Sequence, residues 1–128
     1  MEIKSKYASP LILDEIVILE SNFKRSLDSL EDVELGVKIN REIIQNSDDE
    51  YSIVLDTTVA DDDEKVSVFV KCIAKFRTTQ ENRDLIERNA IAIMFPYIRS
   101  YISIITTQPG MTPIVLPAMN IVAMLNDK

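Results

Sequence analysis

Three stretches in the first two thirds of the chain alternate apolar with polar residues, and this pattern predicts β-strands. The clearest runs from Val66 to Phe76, where every second residue is apolar, and Val33–Ile39 and Tyr51–Val59 precede it. A period of two sends successive side chains to opposite faces, which is typical of a strand buried on one side. The chain is therefore predicted to build a sheet that other elements cover on one face.

The segments between these strands are short and acidic. Ser47–Glu50 separates the first two strands, and Asp61–Glu64 separates the second from the third. Strands joined by such short turns are antiparallel neighbours. An earlier apolar stretch, Leu11–Phe23, follows Ser9 and Pro10 and predicts one more strand. Together these segments predict a four-stranded antiparallel sheet.

The last third of the chain changes period and predicts a long helix. We expect Asn89 to cap it, Pro96 to lie inside it and Thr107 to lie near its end, with Thr79–Arg88 as a separate short helical or irregular segment. Apolar residues cover most of the circumference, so the helix should be covered on two sides. The sheet of so small a domain covers one side, and another subunit is predicted to cover the other. One apolar stripe is Ile91, Phe95, Ile98, Ile102 and Ile105, the second is Ile93, Tyr97, Tyr101 and Ile104, and Arg99, Ser103 and Thr106 form the polar remainder.

Two short segments follow the long helix. Gln108–Pro117 contains three prolines and should be extended and stiff, because each proline restricts the residue before it. Ala118–Leu125 predicts at most a short amphipathic helix. The predicted fold class is α+β, with a four-stranded antiparallel sheet followed by one long helix, a proline-rich loop and a short C-terminal helix. The 128 residues suit a single domain spanning 1–128.

The residue types that the chain lacks argue against catalysis. There is no histidine, which removes imidazole bases and His-ligated metals. The single cysteine, Cys72, is predicted to be a core residue and not a reactive thiol. The acidic runs Asp48–Glu50 and Asp61–Glu64 lack the spacing of a calcium loop and are predicted to be turns. We expect no catalytic residues, no metal site, no cofactor and no enzymatic activity.

Charge and hydropathy limit the partners. The formal net charge is -7, and an acidic surface repels nucleic acid and anionic lipid. The longest apolar run, Ala90–Ile98, is less than half of the roughly 20 residues that a membrane span needs. One cysteine cannot form an internal disulfide, which fits a reducing compartment. We expect a cytoplasmic protein that neither binds nucleic acid nor inserts into a membrane.

The segments Met94–Arg99 and Pro113–Ile121 resemble SecB, a family of bacterial protein-export chaperones. In that family a Leu-Phe-Pro-Tyr-Ala-Arg run on the helix leads to a proline-containing loop and a Pro-Val-Asn-Phe entry to the last helix. This chain departs from the pattern at Met94, Ile98 and Ile121. The resemblance spans nearly the whole chain, since the preceding strands agree. The matching residues are Phe95, Pro96, Tyr97, Arg99, Pro113, Leu116 and Asn120.

The resemblance implies a SecB-like fold and a holdase function. Members of the family bind extended, non-native preproteins along apolar grooves, assemble as a dimer of dimers through their long helices, and pass their clients to the SecA motor. By analogy, an oligomer interface is implied at Ile93, Tyr97, Tyr101 and Ile104. The implied client-binding residues are Leu27, Leu30, Val33, Leu35, Val37, Met111, Ile114, Leu116, Ile121, Met124 and Leu125.

The function expected from these observations is binding of unfolded or extended polypeptide for export or folding. Two alternatives stay open: a dedicated chaperone of a single partner such as an antitoxin, and an oligomeric scaffold without chaperone action. For Val33, Leu35 and Val37 an ordinary core role is equally open. The sequence ends at Lys128 without the tail that contacts SecA in the family, and Glu20 is the nearest match to the acidic SecA-binding surface. SecA is therefore left open as a partner.

Overall fold

A computed structural model of the protein describes residues 4–6 and 9–126. Four strands form one antiparallel sheet in the order β1-β4-β3-β2, so β1 and β2 are its two edges. The predicted α+β architecture is confirmed. The elements are β1 (Ile12–Arg25), β2 (Gly36–Gln45), β3 (Glu50–Ala60), β4 (Val66–Arg77), α1 (Arg83–Ile105) and α2 (Ile121–Asn126).

The acidic turn between β3 and β4 is built around its first residue. The Asp61 carboxylate accepts a hydrogen bond from the Val66 N–H at 2.9 Å, which joins the two ends of the turn. That hydrogen bond is the largest cause holding the pKa of Asp61 below its usual range. The run Asp61–Glu64 is thus a hairpin turn, as the sequence predicted, and aspartate supplies the side-chain acceptor that the turn uses.

The core lies between one face of the sheet and α1. The strand register places Leu55 of β3 opposite Cys72 of β4, and both are fully buried. From the helix, the predicted first stripe is buried at Ile91, Phe95, Ile98 and Ile102. Burial raises the pKa of the Cys72 thiol to about 11, so the thiol stays protonated at neutral pH. The prediction of a core cysteine is confirmed.

The long helix begins earlier than the sequence predicted. Its N-cap is Asn82, whose side chain accepts a hydrogen bond from the Leu85 N–H at 3.2 Å. The choice of Asn89 as the cap was wrong, because Asn89 lies inside the helix. Both asparagines suit an N-cap by residue type, but the additional turns bring Ile86 into the core, where it is fully buried.

No helix in the described ranges is long and apolar enough to cross a membrane.

Strand boundaries also differ from the predicted ones, and β2 ends at Gln45, beyond the predicted end at Ile39. β1 extends to Arg25, beyond the predicted end at Phe23. β2 begins at Gly36, so Val33 and Leu35 lie in the connection before it and not in a strand. This connection and the proline-rich segment after α1 become the two sides of the site described next.

Candidate functional site

A groove of about 1250 Å³ runs along the edge strand β2. One wall is β2 itself, and the other is α2 with the residues just before it. The apolar part of the lining comes from both walls, through Val37, Ile39 and Ile43 on one side and Met119 and Met124 on the other. We call this part the strand section.

A second cavity of about 460 Å³ lies beyond the start of β2, between the β1–β2 connection and the proline-rich loop. Leu35 lines this cavity and Val37 lines the strand section. Two residues of extended chain span about 7 Å, so the two cavities are neighbours along this side of the molecule. We call the second cavity the loop section, and the two together the edge groove. At the lip of the loop section, Leu27 is fully exposed.

Two hydroxyl groups of α1 hold the proline-rich loop in place. Thr106 Oγ1 accepts a hydrogen bond from the Ile114 N–H at 2.9 Å, and Ser103 Oγ donates to the Ile114 carbonyl at 2.8 Å. Thr106 also donates to the Ile102 carbonyl at 2.7 Å and is fully buried. Both backbone groups of Ile114 are therefore satisfied by helix side chains. From the sequence, Ser103 and Thr106 were predicted only to belong to a polar stripe. Their position just before a proline-rich segment could have indicated that they hold the loop.

The guanidinium of Arg25, at the end of β1, connects the two sides of the loop section. Its Nη1 donates to the Gly110 carbonyl at 2.7 Å, which belongs to the proline-rich loop. Its Nη2 donates to the Asp28 carbonyl at 3.1 Å and its Nε to the Ser26 carbonyl at 2.7 Å, both in the β1–β2 connection. Sequence patterns gave no sign of this role, because Gly110 is far from Arg25 along the chain.

A second arginine connects three elements in the strand section. Arg41 of β2 pairs with Leu55 of β3, so its side chain points to the helix side of the sheet. Its Nε donates to Glu87 of α1, and its Nη2 donates to the Leu125 carbonyl of α2 at 3.1 Å. The Arg41 and Glu87 side chains are 32% and 19% exposed, so the pair is partly shielded from water. Arg41 thus fixes α2 beside β2 and is itself neutralised by Glu87.

Comparisons with known proteins bear on the fold. No protein-family model matches the sequence. The chain is 29% identical over 105 residues to the uncharacterized protein MJ0357 of Methanocaldococcus jannaschii, over 74% of this chain and 68% of that protein. It is similar in structure to Rv1957 of Mycobacterium tuberculosis, a SecB-like chaperone in complex with a ChAD peptide from the HigA1 antitoxin. The TM-score is 0.68 with 11% identity, over 86% of this chain and 91% of that one. The fold is SecB-like.

A protein of unknown function from Streptococcus agalactiae is also similar in structure. The TM-score is 0.53 with 11% identity, over 84% of this chain and 97% of that one. These structural similarities establish a common SecB-like fold. At 11% identity they do not indicate which residues act in each protein.

Within this SecB-like fold, most of the predicted client-binding residues lie together. Leu116 is an exception, since it is buried in the core at 5% exposure. Ile121 and Leu125 are half-buried against the core and line neither section of the edge groove. Client binding by any of these residues stays a prediction. Val37 and Met124 line the strand section, and Leu27, Leu30, Val33, Leu35, Met111 and Ile114 line the loop section.

Two of the four residues in the second apolar stripe of α1 are exposed. Tyr97 is 52% exposed and Ile104 is 67% exposed, whereas Ile93 and Tyr101 are half-buried. The Tyr101 hydroxyl is 2.8 Å from Ser21 Oγ on β1, so this tyrosine already contacts its own sheet. The stripe is open to another molecule, and its use as an oligomer interface stays a prediction.

Proposed function

We propose that this protein is a holdase chaperone that binds unfolded or extended polypeptide in the edge groove and catalyses no reaction. The observation that carries this proposal is the groove itself, an open channel beside an unpaired strand edge, in which apolar side chains from both walls alternate with polar ones. Unfolded chains expose the two things that such a channel can accept, apolar side chains and unpaired backbone groups. The SecB-like fold supports the proposal, because the similar protein Rv1957 is a chaperone bound to a peptide.

The walls of the groove are held before any client arrives. Ser103 and Thr106 hold the proline-rich loop, Arg25 joins that loop to the β1–β2 connection, and Arg41 holds α2. A site arranged in advance loses less conformational entropy on binding than one that must close around its ligand. This arrangement lowers the entropic cost of placing an extended segment in the groove.

The affinity in this mechanism comes from apolar burial. Full burial of one large aliphatic side chain contributes about 1.5–3 kcal/mol, and association costs several kcal/mol in lost freedom. A segment with only one or two apolar residues is therefore expected to bind poorly. A long unfolded chain that reaches more than one groove gains from multivalency.

We infer that the protein works as a homo-oligomer, a dimer of dimers associated through the second stripe of α1. The support is an exposed helix face with large apolar residues, Tyr97 and Ile104 above all, which a monomer leaves in contact with water. Several grooves would then be available to one client chain.

A dedicated chaperone of one partner is the second candidate. The observation in its favour is the partner in the similar structure, where Rv1957 is in complex with a peptide from an antitoxin. Export clients, hand-off to SecA and a place in the cytoplasm belong to the general proposal. An oligomeric scaffold without chaperone action is the third candidate, and it predicts no binding of unfolded chains.

The test is suppression of aggregation when several unrelated, chemically denatured proteins are diluted into buffer, followed by light scattering. The native protein should suppress all of them at near-stoichiometric ratios. Leu27→Asp and Leu35→Asp place charges at exposed positions of the loop section and should weaken the effect, because client side chains would meet a charge. Val115→Asp is the matched control, since Val115 is 78% exposed and lines neither section.

Each candidate function predicts a different result in this assay. Suppression for only one partner, encoded beside the protein, would select the dedicated chaperone. A folded protein that suppresses nothing would contradict both chaperone proposals and leave the scaffold.

A further inference from the structure

We propose that a client segment adds to the sheet as a fifth strand, antiparallel to the free edge of β2, with basic residues after its apolar stretch. This inference rests on the proposed function and specifies how the client is held. Three features of the molecule carry it: the unpaired backbone groups of β2, the direction of its side chains, and the charges of the two sections.

The hairpin between β2 and β3 fixes which backbone groups of β2 face outward. The Asn46 N–H donates to the Glu50 carbonyl at 2.8 Å, so these residues form a hydrogen-bonded pair. Hydrogen-bonded and non-hydrogen-bonded pairs alternate along an antiparallel ladder. The register of β2 and β3 continues without a bulge to the far end of both strands. The N–H and C=O groups that point away from β3 therefore belong to Val37, Ile39, Arg41, Ile43 and Gln45.

One of these five residues, Ile43, is already occupied. The Ile43 carbonyl accepts a hydrogen bond from Arg83 Nη2 at 3.1 Å, which agrees with its outward direction. The N–H and C=O groups of Val37, Ile39 and Arg41 have no hydrogen-bond partner within residues 4–6 and 9–126. Water satisfies such groups in the open groove, but a bound apolar segment would displace that water. A client that supplied no backbone hydrogen bonds would then leave these groups buried and unpaired, at a cost in affinity.

Side-chain direction matches the same pairing. Val37 and Ile39 point to the helix side of the sheet, where they are half-buried and line the strand section. In an antiparallel pair, residues directly opposite each other share a face, and those of a hydrogen-bonded pair exchange both hydrogen bonds. The client residues that bond to Val37 and Ile39 would therefore also point into the groove, against Met119 and Met124 of the opposite wall. Every second client residue should be apolar.

The two sections differ in charge, which orients the client. The loop section is lined by Asp28 and Glu31, and its only basic residue, Arg25, is engaged by backbone carbonyls. In the strand section Arg41 is neutralised by Glu87, while Lys38 makes no ion pair within the described residues. A strand antiparallel to β2 enters at the strand section and leaves toward the loop section. Its complement is an alternating apolar segment with lysine or arginine on the C-terminal side.

Synthetic peptides test the pairing directly. The parent is a fluorescein-labelled peptide of alternating valine and threonine with two C-terminal lysines. One derivative carries N-methyl groups on the valine amides, and its matched control carries the same number on the threonine amides. By anisotropy, methylation of the valine amides should weaken binding by about tenfold or more, because at least two hydrogen bonds of about 1 kcal/mol each are lost. Methylation of the threonine amides should change it by less than about twofold.

Charge order is tested by moving the two lysines to the N-terminus without changing composition. The moved peptide should bind several-fold more weakly at low salt, and the difference should shrink at high salt. Equal affinities at low salt would overturn the assigned orientation.

A protein variant tests the same edge from the other side. Ile39→Pro removes one outward N–H and leaves the ladder to β3 intact, a position where edge strands accept proline. Ile39→Val is the matched control, because it keeps the N–H and loses similar volume. Proline should weaken parent-peptide binding by about fivefold, because one hydrogen bond of about 1 kcal/mol is lost, and valine by no more than about twofold. Circular dichroism tests whether both variants fold. If the proline variant does not fold, the peptide series alone decides whether the client pairs with β2.

The outcomes separate this inference from the proposed function. If the parent peptide binds, and methylation weakens binding equally at the valine and threonine amides or only at the threonine amides, antiparallel strand addition is overturned. The proposal of chaperone binding then still stands. Failure of both the parent peptide and reduced, carboxymethylated lysozyme to bind contradicts the proposed function itself.

Discussion

The Ile114 N–H donates a hydrogen bond to Thr106 Oγ1 at 2.9 Å, and both residues are buried. This bond joins the end of α1 to the middle of the proline-rich loop, and the loop is one side of the edge groove. A buried N–H that loses its acceptor keeps its full desolvation penalty. The stability of the domain and the shape of the groove therefore depend on the same hydroxyl.

The first prediction concerns this hydroxyl. Thr106→Val keeps the side-chain volume and removes the acceptor, so the free energy of unfolding should fall by about 1–3 kcal/mol. Urea denaturation followed by circular dichroism measures the change. Thr107→Val is the control, because Thr107 also donates to a helix carbonyl but is exposed, and it should cost well under 1 kcal/mol. Equal losses in the two variants would contradict the role given to Thr106.

The second prediction concerns Arg41, which donates a hydrogen bond to α2 and forms an ion pair with α1. Arg41→Met keeps the apolar stem and removes the hydrogen bonds to Glu87 and to the Leu125 carbonyl. We expect faster amide hydrogen exchange in α2, at the Met124 N–H for example, since the helix loses its contact with β2. A double-mutant cycle with Glu87→Gln should give a coupling of about 1 kcal/mol, since the pair is only partly exposed. Unchanged exchange in α2 would mean that apolar packing alone holds the helix.

The third prediction uses the lowered pKa of Asp61. A carboxyl whose pKa is lower in the folded state stabilises the fold above its unfolded pKa of about 4, and the stabilisation disappears as the pH falls through the folded pKa. Between about pH 5 and pH 2 the free energy of unfolding should therefore decrease less steeply in Asp61→Asn than in the native protein. Asp62→Asn is the control, since Asp62 is exposed in the same turn, and it should keep the native profile. Identical slopes in all three proteins would exclude the assigned hydrogen bond as a source of pH dependence.

Local patterns were enough to predict the sheet and the buried side of α1. The period of two in Val66–Phe76 and the stripe from Ile91 to Ile102 are visible without any knowledge of the fold, because they follow from strand and helix geometry. The start of α1 was not predictable in the same way. Asn82 and Asn89 are equally good caps by residue type, and the burial of Ile86, which decides between them, depends on contacts with distant elements.

The edge groove was predictable only in part. The apolar residues on its two sides could be named from the resemblance, and Leu35 and Met111 do line one cavity. The polar contacts that hold the groove could not be predicted, because Arg25 bonds to Gly110 and Arg41 to the Leu125 carbonyl across most of the chain length. No local sequence pattern indicates that an arginine donates a hydrogen bond to a carbonyl more than eighty residues away.

The fourth prediction concerns the second stripe of α1. Ile104 is 67% exposed in the monomer, so Ile104→Asp should leave the fold intact while placing a charge in any interface formed by this stripe. Tyr101 is a less suitable position for this test, because its hydroxyl contacts Ser21, and replacing the tyrosine would also disturb β1. If the stripe joins subunits, multi-angle light scattering should give a smaller mass for Ile104→Asp, with an unchanged circular dichroism spectrum. Val115→Asp carries the same charge at an exposed position outside the stripe and should keep the native mass. A native protein that is already monomeric, or an Ile104→Asp variant of undiminished mass, would exclude this stripe as the oligomer interface.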